Sequence, residues 1–166
     1  MVIIRPLAPN DDLGDLVALS RAFFFDYEAH HPFFCIGELR DADIIAFFRR
    51  SLEDEDGCTW VAEADGHIVG YLTASVREQA RFYRIDRVGA ISGLMVAEGY
   101  RRKGIAGRLH AAALALFRER GVAYYTVYTA TANTGALAFY ARQGMTPLLT
   151  TLVGTVPEGT DGAART

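Results

Sequence analysis

The chain has 166 residues, of which 51% are hydrophobic and 22% are charged, and its formal net charge is −3. This length suits one domain with a full hydrophobic core, and the composition excludes a disordered or fibrous class. The slightly negative charge argues against a surface built for nucleic acid or anionic lipid, so neither is expected as a partner.

The chain begins with a strand followed by two helices. Residues 2–5 predict a short β-strand because they are mostly β-branched and are closed by prolines. A polar residue within 10–12 is expected to cap a first helix, whose apolar residues up to Tyr27 fall near one face. After a break at 30–37, residues 44–52 predict a second, shorter helix.

Hairpin signals follow in the middle of the chain. Two β-rich runs, 58–64 and 67–76, are joined by an Asp-Gly pair at 65–66, which is typical of a two-residue hairpin turn. A third β-rich run covers 88–97 and is interrupted by glycine. Glycine inside a strand often marks a bulge or a close approach by another backbone, and both stay open for Gly89 and Gly93.

The second half alternates helices and strands. From Gly104 the hydrophobic period becomes helical, and Gly121 is a natural stop for this third helix. Residues 122–129 predict a strand. Asn133 is expected to cap a fourth helix, which Gly144 would end.

One final strand is predicted at 146–153, despite a proline, and the remaining residues are rich in Gly, Thr and Ala. The sequence therefore predicts a single α/β (α+β) domain over 1–153 and a flexible tail over 154–166. Antiparallel hairpins in the first half and alternation in the second favour a mixed, mostly antiparallel sheet flanked by helices.

Three cations stand where a helix begins, which is an unfavourable place for positive charge. Arg101, Arg102 and Lys103 precede the third helix, and the helix start is built from small residues such as Gly104 and Gly107. A helix N-terminus already carries partial positive charge and unpaired N–H donors, so a bound anion such as a phosphate is favoured. The alternative is a solvated basic turn, which leaves the small residues unexplained.

Two linked motifs stand in this half of the sequence, although neither a P-loop nor a dinucleotide-binding glycine pattern is present. The first motif is Arg/Gln-x-x-Gly-x-Gly/Ala, preceded by "LMVAEGY", and the second lies about thirty residues later on the predicted fourth helix. Their residues are Arg101, Gly104 and Ala106 in the first motif, and Asn133, Ala136, Phe139, Tyr140, Gly144 and Met145 in the second. Together these motifs resemble the signatures of the GNAT superfamily of acyl-CoA-dependent N-acetyltransferases.

The resemblance implies acetyl-CoA as co-substrate, with no metal. The diphosphate would rest on backbone N–H groups of 102–107, with Arg101 and its neighbours facing the phosphates. The pantetheine arm would pair with the strand at 94–96 as an added β-edge. That strand would splay from its parallel neighbour and so open the cleft for CoA, and Gly93 would suit a bulge there. The implied cofactor-binding residues are Leu94, Met95, Val96, Arg101, Arg102, Lys103, Gly104, Ile105, Ala106, Gly107, Asn133, Ala136, Phe139 and Tyr140.

The resemblance also implies roles in catalysis. Tyr140 occupies the family's general-acid position, and a backbone N–H of Met95 or Val96 would stabilise the oxyanion. Many relatives carry a glutamate on the preceding strand, whereas 90–93 contains no carboxylate here. The general base therefore stays open, with Glu28, His31 and Glu98 as candidates and a water-mediated base as another.

The resemblance implies an acceptor pocket formed by the first two helices, the loop between them and the loop at 77–87. Its candidate residues are Phe24, Tyr27, Glu28, Phe33 and Phe34. Asp26 and Glu28 would attract a cationic amine, whereas Arg81, Arg84 and Arg87 would attract a carboxylate, so the charges alone leave the acceptor open. A small primary amine is expected rather than a large protein.

Two other functions stay open at this point. The first is a catalytically silent acyl-CoA-binding sensor or interaction module, and the second is a nucleotide-binding protein unrelated to CoA. A homodimer is a further hypothesis, because one final strand is predicted where relatives have two. Two cysteines and no secretory signal indicate a cytoplasmic setting.

Overall fold

A computed structural model describes residues 1–157 of the chain. The chain divides into two compact units, Met1–Ala132 and the part that begins at Asn133. The first unit contains five strands, three α-helices and two short 3-10 turns. These elements are β1 (Val2–Pro6), α1 (Gly14–Glu28), the 3-10 turn Pro32–Phe34, α2 (Asp41–Glu53), β2 (Gly57–Ala64), β3 (His67–Glu78), β4 (Arg87–Val96), the 3-10 turn Glu98–Tyr100, α3 (Ile105–Glu119) and β5 (Tyr125–Val127).

The five strands form one sheet in the order β1-β2-β3-β4-β5. The first three pairs are antiparallel, and β4 pairs with β5 in parallel. Asp65 and Gly66 both have positive φ, 50° and 81°, as the hairpin turn between β2 and β3 requires. The predicted mixed, mostly antiparallel sheet flanked by helices is confirmed.

The hydrophobic core lies on both faces of this sheet. Leu16 of α1 and Phe48 of α2 are fully buried and belong to one cluster with Tyr71 of β3. On the opposite face, the Phe117 ring of α3 lies so close to Gly89 that a Cβ there would come within 2.7 Å of it. Since successive strand residues point to opposite faces, these contacts place α1 and α2 on one side and α3 on the other.

The start of α1 differs from the sequence prediction. Its N-cap is Leu13, without a side-chain cap, rather than a polar residue within 10–12. Asp11 is unavailable because its carboxylate accepts two hydrogen bonds from Arg5, at 2.7 and 2.9 Å. The Asp12 carboxylate still accepts from the Gly14 N–H at 2.9 Å, one position past the cap.

The second unit contains α4 (Thr134–Arg142), which begins and ends as predicted. The Asn133 side chain accepts from the Ala136 N–H at 3.0 Å, and Gly144 has φ of 83°. The predicted strand at 146–153 is wrong, because no strand follows α4 up to residue 157. Pro147 lacks the backbone N–H that a paired strand donates. Leu148 and Leu149 are adjacent and exposed, so the segment has no single apolar face whose burial would stabilise a strand.

Candidate active site

The open edge of β4 is the first component of the candidate site. β5 pairs with β4 at only three positions, Gly89, Ala90 and Ile91. Immediately afterwards Ser92 is an extra residue, since Ile91 pairs with Ala74 of β3 while Gly93 pairs with the adjacent Thr73. A bulge bends its strand, so β4 leaves β5 at this point and the predicted splay between the two strands follows.

The bulge lies at Ser92, although glycine was expected to hold it. Gly93 is instead paired with Thr73, and a Cβ at Gly93 would come within 3.3 Å of the Tyr71 ring. Gly93 therefore leaves room for the Tyr71 ring beside the bulge, and Ser92 is the bulged residue. No local sequence signal distinguishes these two adjacent positions.

The strand register decides which backbone groups of β4 face the cleft. The Ala97 N–H donates to the Val69 carbonyl at 2.8 Å, on the β3 side. Backbone groups alternate along an antiparallel strand, so the Met95 N–H also points toward β3. Leu94 and Val96 therefore direct their N–H and C=O groups to the open edge, where β5 has ended.

A run of unpaired backbone donors forms the second component, which we call the donor loop and define as residues 102–107. Within residues 1–157 no acceptor is found for the backbone N–H of any of these six residues, whereas Arg108 already donates to Gly104 at 3.1 Å. Arg102 and Gly104 have φ of 61° and 77°, and alternation of such conformations turns successive N–H groups toward one side. A Cβ added at Gly107 would meet no atom within 4 Å, so the loop is open to a ligand.

The three predicted cations do not converge on one point. The Arg101 guanidinium donates to the Val96 carbonyl and to the Asp26 carboxylate. Lys103 lies over the Tyr100 ring, with Nζ 5.0 Å from its centroid. Arg102 has no side-chain partner among the described residues.

Two of the candidate bases are already engaged by backbone donors. The Glu28 carboxylate accepts from the Ile36 N–H at 2.6 Å and so closes the loop that follows α1. The His31 Nδ1 accepts from the Phe33 N–H at 3.0 Å, so in the neutral ring the proton is on Nε2 and no lone pair is left there. Glu98 is exposed at the first position of the turn after β4.

Aromatic rings cluster at the end of α1 and in the turn that follows it. Tyr27 stacks on Phe23 at 5.6 Å between centroids and meets Phe34 edge-on at 4.7 Å. Burial raises the pKa of Tyr27, and the Ala130 backbone partly offsets this. Phe33 is 70% exposed and Phe24 37%, so these two rings are open to a ligand.

The remaining predicted residues lie in the second unit. Asn133 caps α4 through Ala136, and Phe139 and Tyr140 are in contact edge-on at 5.0 Å. Tyr140 is the buried residue of α4, 8% exposed.

The described residues hold no group of three or more His, Cys, Asp or Glu side chains arranged to bind a metal ion. None of the helices found in residues 1–157 has the length and apolar character needed to cross a bilayer.

Comparison with known proteins assigns the family. Residues 16–145 match the model of the Acetyltransferase (GNAT) family. An uncharacterized N-acetyltransferase of Archaeoglobus fulgidus is 31% identical over 139 residues, which cover 83% of this chain and 89% of that protein.

One further relative and one solved structure extend the comparison. A mycothiol acetyltransferase of Pseudarthrobacter chlorophenolicus is 27% identical over 159 residues, which cover 95% of this chain but 47% of that protein, so the chain spans about half its length. The aminoglycoside N-acetyltransferase AAC(6')-Iy, solved with CoA, has the same fold, with a TM-score of 0.75, 18% identity and coverage of 94% and 95% of the two chains. The chain therefore belongs to the GNAT acetyltransferase family, as its two motifs predict.

Proposed function

We propose that the protein transfers an acetyl group from acetyl-CoA to a primary amine of a small acceptor. The observation that carries this proposal is the donor loop, which presents six unpaired N–H groups beside an open strand edge. Backbone donors at a helix start suit a diphosphate, and an open strand edge suits the amide groups of a pantetheine arm. Both features are needed to hold CoA, and a simple solvated turn would need neither.

The open edge narrows the choice of oxyanion donor. We assign the role to the Val96 N–H rather than to that of Met95, because the Met95 N–H points toward β3. The Leu94 N–H faces the same side and is available to the pantetheine arm. A fixed N–H in this position stabilises the negative charge that develops on the thioester oxygen during attack.

Proton transfers complete the proposed reaction. The amine attacks the thioester carbonyl and loses a proton, and the C–S bond breaks as the thiolate accepts a proton. We assign this second proton to Tyr140 on the strength of its motif. For the first, His31 is unsuited because the ring nitrogen that carries its lone pair already accepts from the Phe33 N–H. Glu98, a water molecule and the second carboxylate oxygen of Glu28, whose Oε1 accepts from the Ile36 N–H, stay candidates.

Calorimetry and a CoA-release assay test this function together. Acetyl-CoA is expected to bind the purified chain with measurable heat, and a panel of amines is expected to release CoA. Aminoglycosides come first in the panel, because AAC(6')-Iy is an aminoglycoside acetyltransferase. Absence of heat with both acetyl-CoA and CoA would refute the proposal.

The role of Tyr140 has its own test. Tyr140→Phe is expected to lower kcat by about 100-fold or more, the usual contribution of a general acid, while the Kd of acetyl-CoA changes less than about twofold. Tyr124→Phe is the matched control, since Tyr124 is 61% exposed and has no assigned role. Equal turnover of the two variants would remove Tyr140 from the mechanism.

A silent acyl-CoA-binding sensor is the second candidate function. It is favoured by the absence of a carboxylate at 90–93 and by the engagement of Glu28 and His31. Binding of acetyl-CoA without turnover across broad amine classes would select this alternative. The homodimer and the cytoplasmic setting stay predictions from the sequence.

A further inference from the structure

The Arg101 guanidinium joins two separate elements of the first unit. Its Nε donates to the Val96 carbonyl at 3.0 Å, and its Nη2 donates to the Asp26 carboxylate at 3.2 Å. The same Nη2 lies 3.8 Å from the Met95 sulfur. Arg101 thereby connects the last turn of α1 with the last two residues of β4, although Asp26 is 75 positions away in the chain.

The bond to Val96 acts on the final peptide group of the open edge. The carbonyl of that peptide belongs to Val96 and accepts from Arg101, and its N–H belongs to Ala97 and donates to Val69 at 2.8 Å. Both polar groups of one peptide are therefore held, from opposite sides. This peptide directly follows the Val96 N–H that we assign as oxyanion donor, so its orientation sets the direction of that donor.

Stability alone does not explain the ion pair with Asp26. The Arg101 and Asp26 side chains are 46% and 61% exposed, and exposed ion pairs contribute little to folding. The orientation of Arg101 explains the ion pair better, because a guanidinium offers several donors in one fixed plane. Asp26 engages one part of that plane and thereby aims another part at the Val96 carbonyl.

We propose that Asp26 and Arg101 form a positioning pair that fixes the end of β4 for acyl transfer. This inference rests on the proposed function and assigns Arg101 a role that differs from the sequence expectation, in which it faces the phosphates. A phosphate contact needs only positive charge near the donor loop. A positioning role needs the guanidinium plane and its carboxylate partner.

Substitution by lysine separates the two roles. Arg101→Lys keeps the charge but cannot reach both acceptors from one plane. It is expected to lower kcat about tenfold, as small misplacements of reacting groups do, with the acetyl-CoA Kd changed less than about threefold. Asp26→Asn is expected to lower kcat about fivefold with the same small effect on Kd, because the amide aims the guanidinium less firmly.

An exposed ion pair elsewhere on α1 supplies the control. Arg21 pairs with Asp41 at the start of α2, and neither residue is among those assigned to CoA or to the acceptor. Asp41→Asn removes one such pair at the surface and is expected to leave kcat unchanged. The measurements are CoA release from acetyl-CoA with kanamycin as acceptor, acetyl-CoA Kd by calorimetry, and Tm to verify folding of each variant.

The outcomes distinguish this inference from the proposed function. Absence of acetyl-CoA binding by the unmodified chain would refute the function itself. If the unmodified chain binds and turns over acetyl-CoA, two results would overturn the positioning role in favour of a phosphate contact. One is full kcat in Arg101→Lys, and the other is a tighter acetyl-CoA Kd in Asp26→Asn. Equal losses of kcat in Asp26→Asn and Asp41→Asn would also overturn it.

Discussion

The hydroxyl groups beside β2 and the donor loop at the start of α3 differ in whether their polar groups find hydrogen-bond partners within the chain. Beside β2, Thr73, Thr59 and Ser51 are linked at 2.8 Å each, and Ser51 donates onward to the Phe48 carbonyl at 2.7 Å. Among residues 1–157 no buried side-chain nitrogen or oxygen lacks a partner. In the donor loop, by contrast, six successive backbone N–H groups have none within the chain.

This difference separates what holds the fold from what serves a ligand. Each hydroxyl has one proton, so the donation by Ser51 to Phe48 forces Thr59 to donate to Ser51 and Thr73 to donate to Thr59. The chain of hydroxyls is complete in itself and leaves nothing to bind. Residues 102–104 of the donor loop are exposed, and the N–H groups of the loop depend on something outside the chain, water or an anion, for their hydrogen bonds.

A carboxylate placed within the donor loop gives the largest expected effect. Gly107 is the third residue of α3, where a glutamate side chain can reach back to unpaired N–H groups. Gly107→Glu is therefore expected to raise the free energy of unfolding by about 1 kcal/mol. It should weaken acetyl-CoA binding by about 100-fold or more in calorimetry, because it blocks and repels the diphosphate.

Gly99→Glu is the matched control for this change. A Cβ at Gly99 also meets no atom within 4 Å, but the residue precedes the donor loop. We expect at most a threefold loss of acetyl-CoA affinity from the added charge alone. Comparable losses in the two variants would break the contrast between the donor loop and its surroundings.

Interruption of the hydroxyl chain should lower stability without touching the ligand. Thr59→Val leaves the Thr73 donor and the Ser51 acceptor without their buried partner, at a cost of about 2 kcal/mol in the free energy of unfolding. Thr73→Val removes only the first donor and should cost about half as much. Urea unfolding of both variants checks this order, and an equal or larger cost for Thr73→Val would contradict the central place of Thr59 in the hydroxyl chain.

The ion pair between Arg5 and Asp11 should give a smaller, pH-dependent effect. The Arg5 guanidinium holds the Asp11 pKa below its usual range, so this contribution is present above the unfolded-state pKa of about 4 and is lost as pH falls through the lower folded-state pKa. Asp11→Asn should cost about 1 kcal/mol at pH 7 and flatten the acid limb of stability against pH. Asp12→Asn, which lacks an arginine partner in residues 1–157, should keep that limb. An unchanged limb in Asp11→Asn would contradict the assignment.

Removal of one cation near the donor loop should have the smallest effect. Arg102→Gln is expected to weaken acetyl-CoA binding about threefold at low salt and by less at high salt, since exposed charges are screened. Calorimetry at two salt concentrations measures the difference. A salt-independent loss would indicate a direct contact in place of long-range attraction.

Local signals predicted much of the fold and part of the site. The Asp-Gly turn at 65–66, the α3 start at Gly104 and the Asn133 cap each depend on neighbours within a few residues. The prediction of the α1 cap was wrong because Asp11 binds Arg5, which lies in β1 and not among the neighbours that define a cap. The partner of Arg101 is equally invisible in the sequence, since Asp26 lies 75 positions away.

Because Ser92 is an extra residue in β4, the cleft depends on the number of residues in that strand. The gap between β4 and β5 opens because one more amino acid stands between Ile91 and Gly93 than the opposing strand accommodates. Ser92 is exposed, so point changes there are expected to preserve the gap. A single-codon deletion would straighten the strand and remove the opening, and the length of this segment therefore constrains the protein more tightly than its chemistry.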